Sequence, residues 1–184
     1  MKTLAATTTA AGTASRPARM LALRGALLLA FGLVEGALIL AAFRLPHVTV
    51  SVLVLVMSGF FVLDAIAAAL QASHAREPWL ERAPQALASL AAGLLMLVVP
   101  HGRWLAVFAG WALVSGVLDA IESLSSGSGR LLMSGLSLAL GLLLLLSPIR
   151  DSALLLLAVA AYGVAGGIVR LRAGRSALRQ RARF

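Results

Sequence analysis

The 184-residue chain is 60% hydrophobic and 12% charged, contains no cysteine and carries a formal net charge of +9. Soluble domains run at roughly 45–50% apolar and 25% charged residues, and a chain this short cannot hide so large an apolar fraction in one core. Lipid is therefore the expected solvent, and without cysteine there are no disulfides, thiolate metal sites or cysteine nucleophiles.

Residues 1–20, "MKTLAATTTAAGTASRPARM", hold no apolar run long enough for a signal-peptide core. They are expected to form a disordered cytoplasmic tail ahead of a first helix that serves as an uncleaved anchor. Six apolar runs follow, at 21–43, 48–70, 84–99, 104–124, 131–147 and 152–171. Crossing a hydrocarbon core of about 30 Å takes about 20 helical residues. Four runs reach that; the third and fifth are short and call for local bilayer thinning or extension into their flanks. The runs are continuous and rich in Leu and Ala rather than alternating, which selects helices over barrel strands. The expected fold is all-α and polytopic, with six transmembrane helices over 21–171, arranged as hairpins 21–70, 84–124 and 131–171. A basic tail, 172–184, closes the chain.

The charge follows topology. "RLPH", "PHGR" and "SPIRD" read as tight outer turns, with Arg44, Arg103 and Arg150 in them. The other thirteen basic residues fall on the opposite side: Lys2, Arg16, Arg19, Arg24, Arg76, Arg82, Arg130 and six arginines from Arg170 to Arg183. By the positive-inside rule both termini lie in the cytoplasm. Trp79 and Trp104 fall near the interfaces, where indole rings prefer to lie. The terminal arginines are placed to touch anionic lipid headgroups. Basic residues without interleaved aromatics do not make a nucleic-acid platform, so no nucleic-acid partner is expected.

A repeat runs through the apolar part. Phe60, Trp111 and Tyr162 are spaced 51 and 51, and Ala65, Gly116 and Gly167 follow each at plus five. Upstream, "SLAAGLLMLVVP" (Ser89, Gly93, Pro100) matches "SLALGLLLLLSP" (Ser137, Gly141, Pro148), and the first hairpin offers Gly32, Gly36 and Pro46 in the same order. The unit is a helix with small residues four apart, a proline turn, and a second helix with an aromatic followed by small residues. Such small residues let helix backbones approach closely, the main route to packing in lipid. Gly32, Gly36, Gly93, Gly116, Gly141, Gly163 and Gly167 are the expected packing positions.

In "GLLMLVVP" and "GLLLLLSP", followed by "FFVLDAI", "WALVSGV" and "YGVAGGI", the chain resembles the HdeD-like acid-resistance membrane proteins. The likeness covers about residues 24 to 172 and rests on the threefold repetition. It implies a six-helix protein of the bacterial inner membrane, linked in some bacteria to survival of acid stress and without an agreed molecular activity. The first hairpin departs by Glu35 and a longer gap to Pro46, the third by Gly166 at the polar step.

The pentapeptide VLDAI occurs twice, placing Asp64 four residues after Phe60 but Asp119 eight after Trp111. The two are displaced by about one helical turn, roughly 6 Å, so both carboxylates are expected to look inward. Asp119, with Glu122 near it, belongs close to the cytoplasmic boundary, where a charge is easily accommodated. Asp64 lies deeper, and an interhelical pair with Arg24 at similar depth is expected to fix the first hairpin. Glu35 is deepest and has no obvious partner; it is expected to be neutral and hydrogen-bonded to a backbone carbonyl or a hydroxyl. His47 and His101 each follow a proline in an outer turn, where imidazoles gain charge as external pH falls; they are candidates for pH sensing.

No motif supports catalysis: there is no phosphate loop, no HExxH, no GxSxG, and no His–carboxylate cluster at ligand spacing. Neither an enzyme activity, a cofactor nor a metal is expected. Two function classes remain. One is a non-catalytic membrane protein acting in stress tolerance through membrane properties or a partner. The other is a small transporter or proton-conducting bundle using Glu35 and Asp64. The first predicts a closed, glycine-packed core, the second a water-filled cavity facing both carboxylates. The sequence names no solute and leaves homo-oligomer formation open.

Overall fold

The computed structural model describes residues 3–44, 50–74, 83–99, 103–126, 131–146 and 152–181. Six helices make up the described chain: α1 (Thr3–Arg44), α2 (Val50–His74), α3 (Ala83–Val98), α4 (Trp104–Ser126), α5 (Leu131–Leu146) and α6 (Ser152–Arg181). No strand occurs among the described residues. The helices form because Leu, Ala and Val runs hydrogen-bond their own backbones, which hydrocarbon otherwise leaves unsatisfied. Four stretches are long and apolar enough to cross a membrane: Ala18–Ala42, Ser51–Ser73, Trp104–Leu124 and Leu154–Arg179. The helices α3 and α5 have 16 residues each, about 24 Å at the usual rise.

At the N-terminal end α1 begins at Thr3, ahead of the first apolar run. At the other end α6 runs on through the basic segment to Arg181. Alanines in the first segment, and alanine with arginine in the second, favour continuation once a helix is nucleated.

The six helices form a ring in chain order, closed by α6 packing on α1. Its exterior is apolar: Leu40, Leu55, Leu87, Leu124 and Val98 are all exposed, Val98 at 82%. Its interior holds Arg24, Glu35, Asp64, Arg170 and six serines of α2 to α5, all buried. Leucine outside and charge inside is the reverse of a soluble protein and fits a lipid solvent. Phe31, Phe60, Phe61, Phe108, Trp111 and Tyr162 fill the centre, with Phe31 and Phe60 stacked at 4.3 Å and Trp111 edge-on to Tyr162 at 6.4 Å. The three aromatics of the 51-residue register, Phe60, Trp111 and Tyr162, thus share one core.

Backbones come closest along three seams. Between α1 and α6, a methyl group at Gly32 would fall 2.5 Å from the Val164 nitrogen, and one at Gly163 would fall 2.7 Å from the Gly32 Cα. Gly167 lies as close to Leu29. Between α4 and α5, Gly116 receives Leu138 and Gly141 receives Leu113; between α2 and α3, Gly93 receives Phe61 and Val62. Gly36 is different. A methyl group there would meet only the Ala160 Cβ at 3.9 Å, an ordinary contact. Gly36 thus has room for a methyl group on that seam, whereas Gly25 and Gly174, not singled out by the repeat, are tight notches against Arg170–Leu171 and Ala22. All three seams lie between the expected hairpins rather than inside them.

Candidate functional site

The seams inside the hairpins are polar. Arg24 on α1 donates from Nε to Asp64 Oδ1 at 2.9 Å and from Nη2 to Oδ2 at 3.1 Å. The expected interhelical pair is present, in a two-pronged form that suits a planar guanidinium and a carboxylate. Asp64 Oδ2 also accepts from the Ser89 hydroxyl on α3 at 2.7 Å, and Ser89 accepts from the Trp111 indole N–H on α4 at 3.0 Å. One chain of hydrogen bonds thereby ties α1, α2, α3 and α4. It leaves Asp64 with three donors, the compensation a buried carboxylate requires.

Two further bonds cross the hairpins. Gln85 on α3 donates to the Ser115 hydroxyl on α4 at 3.0 Å, and the hydroxyls of Ser137 and Tyr162 lie 2.8 Å apart between α5 and α6. Ser89–Trp111 and Ser137–Tyr162 occupy the same register positions, so one bond is made twice. The first hairpin has Gly32 at the serine position and stacks Phe31 on Phe60 instead.

Asp119 is not a solvated boundary charge. It accepts from Arg170 Nη2 on α6 at 3.1 Å, and the Arg170 side chain is only 6% exposed. In sequence Arg170 reads as the first of the topology-setting arginines. The missed signal is register: Asp119 and Arg170 each lie eight residues after their aromatic. Gln71, Glu122 and Ala173 likewise share the plus-eleven position. These five residues, together with Arg24, line a cavity of about 40 Å³ at the end of the bundle that carries both termini.

Glu35 stands apart. It is wholly buried, and neither carboxyl oxygen has a hydrogen-bond partner, contrary to the expected backbone or hydroxyl partner. It does not line the cavity, and neither does Asp64. Trp104, expected at an interface, is buried at the start of α4. His47, His101 and Trp79 lie outside the described residues. Among the described residues no three His, Cys, Asp or Glu side chains converge as metal ligands. No protein-family model, no curated protein and no solved structure matches the chain.

Proposed function

We propose that this is a non-catalytic, multi-pass protein of the bacterial inner membrane, of the HdeD-like type, with both termini in the cytoplasm. It contributes to acid or general stress tolerance through the membrane or a partner rather than by moving a solute. The observation that carries the reading is the sealed centre: six aromatic rings fill the ring of helices, and Asp64, the better placed of the two candidate carriers, is saturated by Arg24 and Ser89. A transport carboxylate has to exchange partners. The exposed Arg19, Arg172, Arg175 and Arg179, on the α1 and α6 segments toward the terminal side, support contact with anionic headgroups. The alternative, a proton-conducting or transporting bundle, draws on Glu35, whose two oxygens are unpartnered.

Proteoliposomes separate the two. The proposal expects the same proton leak for the wild type, Glu35→Gln and Asp64→Asn; a leak abolished by either change would support transport. Acid survival of a strain dependent on this chain should fall on its deletion, and no change in survival would remove the stress assignment. Reporter fusions should place the Arg170–Phe184 segment in the cytoplasm.

A further inference from the structure

The cavity at the terminal end of the bundle lies outside the aromatic centre and meets the Arg24–Asp64–Ser89 chain only at Arg24. It lies near the ends of α2 and α4 and beside α6, bordered by their plus-eight and plus-eleven register positions: Asp119 and Arg170, then Gln71, Glu122 and Ala173. We propose that this cavity is a hydrated vestibule, a binding site for a small cluster of water molecules in contact with the terminal side and closed toward the membrane centre.

Three observations support it. The first is size: a water needs roughly 10–15 Å³ of cavity volume, so the cavity of about 40 Å³ holds on the order of three. The second is the lining. Arg24 and Arg170 present donors, while Asp119, Glu122 and Gln71 present acceptors. Each arginine is already neutralised by an aspartate, so the site suits a ligand that both donates and accepts, without net charge. The third is Gln71. It is 6% exposed, it lines the cavity, and its Oε1 is buried without a hydrogen-bond partner. A buried acceptor left unpaired is costly, and a water in the cavity supplies the missing donor.

The inner limit is apolar. Met133 lines the cavity, and Met133 and Leu28 both lie against Gly166, one turn deeper than Arg170. Water admitted from the terminal side therefore reaches the Arg170–Asp119 pair and stops before Glu35, so the vestibule is a dead end rather than a pore. This holds whether or not the chain acts in stress tolerance.

The native chain contains its own test. Met133, Met57 and Met96 are all nearly inaccessible, at 3%, 0% and 1%, but only Met133 borders the cavity. Hydroxyl radicals made by X-ray radiolysis of bound water oxidise the side chains beside it. In the intact protein in detergent, Met133 is expected to oxidise at least about tenfold faster than Met57 and Met96, since oxidation follows access. Equal, slow oxidation of all three would overturn the proposal. A second readout has opposite signs for the two cases. If the cavity is wet, Gln71→Leu removes a water ligand, lowering the melting temperature and slowing Met133 oxidation. If it is dry, the same change removes an unpaired acceptor and raises the melting temperature, which would also overturn the proposal.

Discussion

The seams of this ring are of two kinds. The α6–α1, α2–α3 and α4–α5 seams are built on glycine facing backbone or a side chain, with Ser58–Gly93 and Ser89–Asp64 bonds added across α2–α3 and a Ser134–Gly116 bond across α4–α5. The α1–α2, α3–α4 and α5–α6 seams are directional, held by Arg24–Asp64, Ser89–Trp111 with Gln85–Ser115, and Ser137–Tyr162. The difference teaches how a small bundle holds together without a hydrophobic drive between its helices. Close backbone approach supplies contact area and is indifferent to register by a turn. Hydrogen bonds between specified side chains fix the register and supply little area.

The sharpest way to break the steric seams is Gly32→Leu. Its Cβ would collide with the backbone of α6, which cannot step aside as a side chain can. The expected cost exceeds about 3 kcal/mol, the upper range for overpacked cores, read as loss of the monodisperse peak in detergent. On the directional side, Asp64→Ala leaves the Arg24 guanidinium buried and unpaired, an expected loss of about 3–5 kcal/mol in thermal unfolding. The swap Arg24→Asp with Asp64→Arg should recover more than either single change; equal damage in all three would mean that the pair does not operate. Ser89→Ala breaks two bonds of one chain and should cost about 1–2 kcal/mol. Ser137→Ala breaks one, at about 0.6 kcal/mol. Gly36→Ala should be neutral or stabilising by about 0.5–1 kcal/mol, since alanine outranks glycine in a helix with room for a methyl group. A large loss there would mean that the α1–α6 seam is closer than described.

Hydropathy made the helices legible, because a run of Leu and Ala needs no tertiary context to be helical in lipid. The Arg24–Asp64 pair was legible from depth alone: two opposite charges near one end of adjacent antiparallel helices have few other places to go. The seams were half legible. Glycine four apart marks a groove but not its occupant, and the occupant is the next hairpin rather than the partner within the same one. That is why Gly36, which fits the spacing, makes only an ordinary contact with Ala160, while Gly25 and Gly174, outside the pattern, are tight. Arg170 was hidden by its neighbours, since five more arginines behind it make it look like tail. Only its offset from Tyr162, matching that of Asp119 from Trp111, marks it as internal. Glu35 remains without a structural account: nothing among the described residues satisfies its oxygens.

Closure of the ring between its first and last helices tests the account most directly, and the absence of native cysteine makes it measurable. A Cβ on Gly36 would lie 3.9 Å from that of Ala160, close to the spacing of about 3.8 Å across a disulfide. Under mild oxidation in membranes, the double variant Gly36→Cys/Ala160→Cys should form an intramolecular disulfide that joins the N- and C-terminal fragments after cleavage in a connecting loop. Fragments that separate without reductant, or that appear only as cross-linked dimers, would contradict it.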